Sequence, residues 1–399
     1  MNEFDEEISS LIYEIKEKTV KCWNCNFCFS GCPMFQAGRG WWSYGPSGLT
    51  WSLYYGIELG LLDKSGPEAK ELVRNIYGCT TCNTCTNTCR DSSASIPILE
   101  IIEKGRMLLV ERGIGPMTQQ KKALESLQNY GNPYALSANK RLDWLGDRGV
   151  KKLPEQKAGV LYFVGDAASY EPELHNIARS IVKLFEFFGI DFGILEQEKS
   201  CGEVALRIGD RGLFEELSNQ NIRSFKKSEA KTIVTTSPHC MNVLKKDYGS
   251  YLQDILEIKH YTEFFADVLA QKPVSFQGEF PHSTTFHDPC YLAKHNDITE
   301  PARRLLKAIP RLSFKEMRLS GQDSLCCGGG GGRIFADVDE EHRPEYTRLE
   351  QALEVGAEVV ATACPWCNTM LRTAAADLKA DDRIRVMDVA EILVEALGI

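Results

Sequence analysis

An α+β fold, mainly helical at its start and then built from two copies of an α/β unit, is predicted by three features of the sequence. Two cysteine runs of identical spacing lie within the first 110 residues. From residue 158 onward, short apolar segments alternate with helical ones, as open α/β layers with partly parallel sheets require. Within that second half the pattern repeats at offsets of 124 to 127 residues.

Length and composition set the frame for these features. A chain of 399 residues can bury two or three cores, and 43% apolar with 25% charged residues is ordinary for a globular protein. The net charge of −9, with no Lys/Arg block, argues against a nucleic-acid surface. The start, "MNEFDEEISS", lacks the basic-then-apolar layout of a signal peptide. The longest uncharged run, "GWWSYGPSGLTWSLYYGI" (40–57), is broken by Gly, Pro and Ser and falls short of the ~20 residues of a span. A cytoplasmic chain with no direct membrane span is expected, any membrane association coming through partners. Fifteen cysteines in such a chain point to metal or redox chemistry rather than to disulfides. Free thiols serving as small core residues would be scattered, whereas thirteen of the fifteen fall into spaced sets.

Residues 1–21 ("EEISSLIYEIKEK") have helical apolar spacing and predict a leading helix. Residues 1–110 as a whole are expected to form one domain, with both cysteine runs and the helix "GPEAKELVRNIYG" inside it. The aromatics between the runs, Trp41, Trp42, Tyr44, Trp51, Tyr54 and Tyr55, are read as its core, with a docking patch as the alternative. Residues 111–157 are polar and punctuated by Gly and Pro, a helical linker. The two α/β units are expected over 158–275 and 276–399, with strands at "GVLYFVGD", "FGILEQ", "KTIVTTSP", "STTFHDPC", "LSFKEMR", "GAEVVATACP" and "IRVMD".

The first cysteine run, "CWNCNFCFSGCP", places Cys22, Cys25, Cys28 and Cys32 in the spacing C-x2-C-x2-C-x3-C-P. The second, "CTTCNTCTNTCR", places Cys79, Cys82, Cys85 and Cys89 the same way, each displaced by 57. A cubane [4Fe-4S] cluster takes three thiolates from one tight loop and, in two-cluster ferredoxins, its fourth from the other run. Cys22, Cys25, Cys28 and Cys89 are thus expected to hold one cluster, and Cys79, Cys82, Cys85 and Cys32 the second. Structural zinc is the competing reading, but zinc sites seldom use three such steps in succession. Arg90 stands where a Pro would follow the second run.

In the second half, Asp166 falls opposite Cys290, Ser200 opposite Cys326, Cys201 opposite Cys327, Ser237 opposite Cys364, and Cys240 opposite Cys367. The contexts agree, as in "IVTTSPHCMNVL" against "VATACPWCNTML". The copy with five cysteines could gather them at a sheet edge, where open α/β proteins place ligands. Adjacent thiolates such as Cys326 and Cys327 can serve two irons of one extended cluster, and the glycines after them can direct N–H groups at sulfides. A phosphate loop is disfavoured because no Gly-Lys-Ser/Thr follows and Arg333 takes the last Gly of a G-x-G-x-x-G reading. No flavin or nucleotide is therefore expected in this chain. A thioredoxin-like redox pair at "CPWC" stays open as an alternative.

The spacing Cys290-x35-Cys326-Cys327-x36-Cys364-x2-Cys367 resembles the CCG domain of heterodisulfide reductases. A two-cubane ferredoxin domain followed by two CCG units resembles the HdrD-type catalytic chain, a fusion of HdrC-like and HdrB-like parts. Related chains are the DsrK subunit and the iron-sulfur subunits of anaerobic glycerol-3-phosphate dehydrogenase and glycolate oxidase. The resemblance covers about residues 20 to 390. It implies that Cys290, Cys326, Cys327, Cys364 and Cys367 hold a noncubane [4Fe-4S] cluster. The first copy departs from the pattern: Asp166, Ser200, Cys201, Ser237 and Cys240 are a poor set for a sulfide-bridged cluster. It is expected to be empty or to hold something smaller, such as one metal ion.

His239 and His287 flank these sites and are expected to support ligands by hydrogen bonding, with a ligand or proton-donor role as the alternative, and His295 is a candidate for proton delivery. The resulting expectation is an electron-transfer subunit of an anaerobic oxidoreductase, with flavoprotein or iron-sulfur partner subunits. The alternatives are a disulfide or persulfide reductase acting at Cys326 and Cys327, an iron-sulfur subunit serving an FAD-dependent hydroxy-acid or glycerol-3-phosphate dehydrogenase, and a zinc scaffold.

Overall fold

The computed structural model describes residues 3–37, 40–63, 66–90, 94–249, 252, 256–272, 274–336 and 343–399. The chain divides into two compact units. Unit 1 comprises Met1–Glu125, Val204–Phe214 and Leu325–Pro344, and unit 2 comprises Ser126–Glu203, Glu215–Ser324 and Glu345–Ile399. Among the described residues no helix is long and apolar enough to cross a membrane.

Unit 1 is helical. Glu3–Thr19, Pro46–Glu58, Pro67–Gly78 and Ile98–Glu111 supply most of its core. Pro46 and Pro67 sit in the first turn of their helices, where a missing N–H costs nothing. In Pro46–Glu58 the buried face is Leu49, Leu53 and Gly56, spaced i, i+4, i+7. Leu53, Ile76, Ile101, Ile102, Leu108 and Leu109 are wholly buried, each contributing about 1.5–3 kcal/mol. The aromatic stretch is not the core that its composition suggested. Trp41, Trp42 and Tyr55 are exposed and Tyr44, Trp51 and Tyr54 half-buried. The aliphatic stripe takes the inward face of the helix, leaving Trp51, Tyr54 and Tyr55 to pack on one another outside, with centroids 5.3–5.7 Å apart.

Unit 2 holds two parallel sheets. The first contains β1 (Lys151–Leu153), β2 (Val160–Phe163), β3 (Phe192–Leu195), β4 (Thr232–Thr235) and β5 (Glu257–His260), in the order β1-β3-β2-β4-β5. The second contains β6 (Ser283–Phe286), β7 (Ser313–Phe314), β8 (Val359–Thr362) and β9 (Arg385–Asp388), in the order β7-β6-β8-β9. The internal repeat of the sequence is a repeat of register. Val160 pairs with Phe192 and Thr232 in the first sheet, and Thr284 with Phe314 and Val359 in the second. Thr232 pairs with Glu257 as Val359 pairs with Arg385. β1 is the additional strand of the first copy, and it comes from the polar stretch read as linker.

Crossover helices join the parallel strands, as they must. His175–Phe188, between β2 and β3, buries Ile177, Ile181, Leu184, Phe185 and Phe188, and ends on Gly189 at φ 65°. Phe185 stacks on Phe192 at 4.7 Å and meets Tyr162 edge-on at 5.5 Å. Leu349, Val360, Leu371, Ala374 and Ile384 build the matching core of the second copy. In both copies the segments after the central strands lie at the carboxyl edge of the sheet, where the chemically distinctive residues fall.

Candidate metal centres

The two cysteine runs of unit 1 fold alike. Asn24 and Asn26 have φ of 53° and 65°, and their counterparts 57 residues on, Thr81 and Asn83, have 52° and 67°. Such left-handed pairs turn the chain so tightly that neighbouring thiols face one centre. Ser47 donates to either Asn24 Oδ1 or Asn26 Oδ1, both 2.9 Å away, and pins the first loop. Main-chain N–H groups reach sulfur at Thr81 N to Cys79 Sγ, 3.4 Å, and Ile96 N to Cys89 Sγ, 3.1 Å.

The thiols separate into two neighbourhoods. Burial pushes Cys28 up to about 11, and the thiols that add to this are Cys22, Cys89 and Cys25. Burial also raises Cys32, with Cys82 and Cys79 beside it, and raises Cys85, with Cys79, Cys82 and Cys32 beside it and Cys28 of the first set adding the smallest share. A cavity lined by Cys32, Cys79, Cys82 and Cys85 is closed by the apolar side chains of Leu49 and Ile102. Crowded buried thiols resist deprotonation until a cation compensates them, so this donor set fits a cluster of soft metal ions. The first neighbourhood reaches the surface through Cys25, which is exposed, whereas Cys32, Cys82 and Cys85 are buried.

Cys326 and Cys327 also belong to unit 1 and are 2% and 4% exposed. Gly328 N donates to Cys326 Sγ at 3.4 Å.

Unit 2 carries Cys290, Cys364 and Cys367. Cys290 opens the helix Cys290–Ala293 after β6, and Cys364 is the N-cap of Pro365–Asp377 after β8, with Cys367 in its first turn. All three are buried. Burial would raise the Cys364 thiol, but hydrogen bonds from Cys367 and His239 bring it below its ordinary value. Burial would likewise lower His239. Instead Glu203, whose carboxylate lies 3.0 Å from Nδ1, and Cys364 raise it to about 10. The His239 ring lies between Tyr291 and Trp366, at 4.0 and 4.6 Å. A histidine of the first copy, held by Glu203, is therefore a hydrogen-bond partner of Cys364 in the second.

His287 accepts from Arg348 Nε at Nδ1, 3.0 Å. Burial and the Arg348 charge keep it neutral, and its Nε2 is buried with no partner among the described residues. His287 and Cys367 offer ligand atoms within 4.8 Å of each other. His295 stacks on Tyr291, with ring centroids 4.1 Å apart.

The first copy looks different at the same edge. Asp166, at the head of Asp166–Tyr170, is paired with Arg141 at 2.8 Å, and Arg141 also binds Glu198 at 2.7 Å. Glu198 accepts from Val164 N and Gly165 N, both at 2.9 Å. Ser237 caps the helix Pro238–Lys246 through His239 N, and Ser200 is fully buried. Cys201 Sγ lies 3.0 Å from Cys240 Sγ. A guanidinium thus takes the carboxylates that could have bound a metal ion.

Arg141, Glu198 and Glu203 were not singled out from the sequence, because their partners lie 25 to 57 residues away. Arg106 was also missed, although a signal was present. It falls on the apolar stripe Ile98, Ile102, Arg106, Leu109 of its helix, a position that buries a charge.

Two family descriptions match the chain. "4Fe-4S dicluster domain" covers residues 18–92, and "Cysteine-rich domain" matches twice, over 160–245 and 284–372. The chain is 32% identical over 95% of its length to the HdrD polypeptide of the dihydromethanophenazine:CoB–CoM heterodisulfide reductase of Methanosarcina barkeri, and covers 94% of that protein. It is 33% identical to a probable iron-sulfur-binding oxidoreductase, FadF, of Bacillus subtilis, and 31% to the EtfAB:quinone oxidoreductase of Syntrophomonas wolfei. Each of these likenesses covers 81% of the chain but only 46% of the longer protein. With a likeness extending along nearly all of its length and the matching order of domains, the chain belongs to the HdrD-type family of heterodisulfide-reductase-related iron-sulfur proteins.

Proposed function

We propose that the chain is the electron-relay subunit of a larger oxidoreductase, with two cubane [4Fe-4S] clusters and one noncubane [4Fe-4S] cluster. Cys22, Cys25, Cys28 and Cys89 hold the first cubane, and Cys79, Cys82, Cys85 and Cys32 the second. Cys290, Cys326, Cys327, Cys364 and Cys367 hold the noncubane centre. When bound, these clusters accept and pass on single electrons. The carrying observation is the grouping of thiols in unit 1, with one cavity lined by all four members of the second set. The exposed Cys25 gives a partner access to the first set, and the burial of Cys32, Cys82 and Cys85 shields most of the second from solvent. The first CCG copy holds no cluster, since Arg141 already satisfies Asp166 and Glu198.

The partner is a flavoprotein or iron-sulfur subunit, through which any attachment to a membrane is made. Quinone chemistry and thiol-disulfide chemistry both occur in the names of the relatives. A second reading, reduction of a disulfide or persulfide at Cys326 and Cys327, draws on the Gly328 N–H that donates to Cys326 Sγ at 3.4 Å and would favour a thiolate there. The two are separated by adding thiol disulfides to dithionite-reduced protein under anaerobic conditions. A relay stays reduced until a redox partner is supplied. Reoxidation with a new paramagnetic signal contradicts the relay and establishes the reductase.

A further inference from the structure

Arg106 is fully buried in unit 1. Its donors go to main-chain carbonyls: Ile76 O at 3.0 and 3.3 Å, Cys79 O at 2.6 Å, Arg207 O at 2.7 Å and Gly331 O at 2.9 Å. The guanidinium also lies 5.0 Å from the Tyr77 ring centroid. None of these groups carries a formal charge. A buried cation whose partners are all neutral is costly unless an anion lies close by. A metal-bound thiolate at Cys79, whose own carbonyl Arg106 holds at 2.6 Å, would supply that anion.

The carbonyls of Ile76, Gly78 and Cys79 belong to the C-terminal end of the helix Pro67–Gly78 and the residue after it. A helix C-terminus presents negative partial charge, which is unfavourable beside an anionic cluster. Arg106 and Arg333 cover it, the latter through Nη1 to Gly78 O at 3.1 Å. Both also grip the glycine run, Arg333 Nε at Gly328 O, 3.0 Å, and Arg106 at Gly331 O. The glycines have a reason to be there beyond approach to sulfide. A Cβ on Gly330 would stand 2.5 Å from Thr80 O, and one on Gly331 2.6 Å from Cys79 O, at a φ of +64°. Only a side-chain-free segment lets the loop after Cys326 and Cys327 lie on the loop that carries Cys79.

We propose that Arg106 is the counter-charge of the second cubane and sets its reduction potential, while holding that centre's loop against the glycine run. The inference rests on the two-cubane reading. Reduction adds one negative charge to a centre, and a fixed guanidinium at short range in a low-dielectric setting favours the more negative state.

The test is an EPR-monitored redox titration of anaerobically loaded, full-length protein, with C82S used to identify the signal of the second centre. R106M is expected to move that centre's midpoint downward and leave the first unchanged. R106K, which keeps the charge, stays near wild type. If R106M does not retain its iron, R106Q, which keeps side-chain donors for the carbonyls without the charge, takes its place and is expected to move the midpoint downward. A loaded R106M or R106Q with an unmoved midpoint, or an R106K displaced as far as either, overturns the proposal. Failure of the underlying two-cubane reading is seen separately, as a wild-type sample lacking the iron and sulfide of two cubanes.

Discussion

Asp166 and Cys290 occupy the same place in the two copies of the α/β unit, at the head of the short helix that follows the first central strand. Around them the backbone is the same to the register of the strands, Val160 on Thr232 in one sheet and Thr284 on Val359 in the other. The chemistry is not. In the first copy the edge is closed by Arg141 between Asp166 and Glu198, with Cys201 and Cys240 side by side. In the second copy the edge keeps Cys290, Cys364 and Cys367, with His239 hydrogen-bonded to Cys364. A parallel sheet fixes where its edge lies and leaves open what stands there, so function is argued from the edge residues. The first copy fills its edge with an ion network, and its His239, held by Glu203 at 3.0 Å, is hydrogen-bonded to Cys364 of the second.

The largest expected effect of that difference is on cluster content. C364S should remove about four irons per chain, the content of one four-iron cluster, whereas C240S should remove none. Equal loss from both would erase the distinction between the copies. Next comes the ion network. R141M leaves two buried carboxylates without their cation and should cost about 3–5 kcal/mol in urea unfolding of the loaded protein. The combination R141M/D166N/E198Q should recover much of that loss, because the uncompensated charges are gone.

The second copy has its own buried pair, Asp288 accepting from both Arg303 Nη atoms at 2.6 and 2.9 Å. D288N should cost less, about 1.5–3 kcal/mol, since Glu316 still holds Arg303. The smallest effect concerns the helix caps. His260 caps Tyr261–Gln271 in the first copy where Asp388 caps Val389–Leu397 in the second. Burial lowers His260 from 6.5 to about 3, so it stays neutral in the folded protein. The unfolded chain binds that proton below 6.5 and the folded one does not, so the stability is intact above pH 6.5 and falls below it. The loss should be about 1.4 kcal/mol at pH 5.5. H260N, which keeps an N-cap acceptor, should flatten this slope between about pH 6.5 and 5.5.

Much of this was legible in the sequence, and the reasons are physical. Cluster ligands within a run come at short, fixed spacings, so "CWNCNFCFSGC" and "CTTCNTCTNTC" speak for themselves. Apolar β-strands flanked by helices announced β2, β4, β6 and β8. β1 ("KKL") and β5 ("EIKH") carry little apolar signal, because each is held by its parallel neighbour rather than by its own composition. The aromatic stretch misled because hydrophobic content does not say which face of a helix turns inward. Arg141 and Arg106 were hidden for another reason. Each acts through partners distant in sequence, 225 residues for Arg106 and Gly331. The only local trace is a charge on an apolar stripe.

One competent CCG copy beside two cubanes is the central claim, and the most direct measurement is iron and acid-labile sulfide per chain in anaerobically purified protein. Three four-iron clusters predict about twelve of each. About sixteen would mean that the first copy also holds a cluster despite Arg141, and zinc without sulfide would contradict the whole assignment.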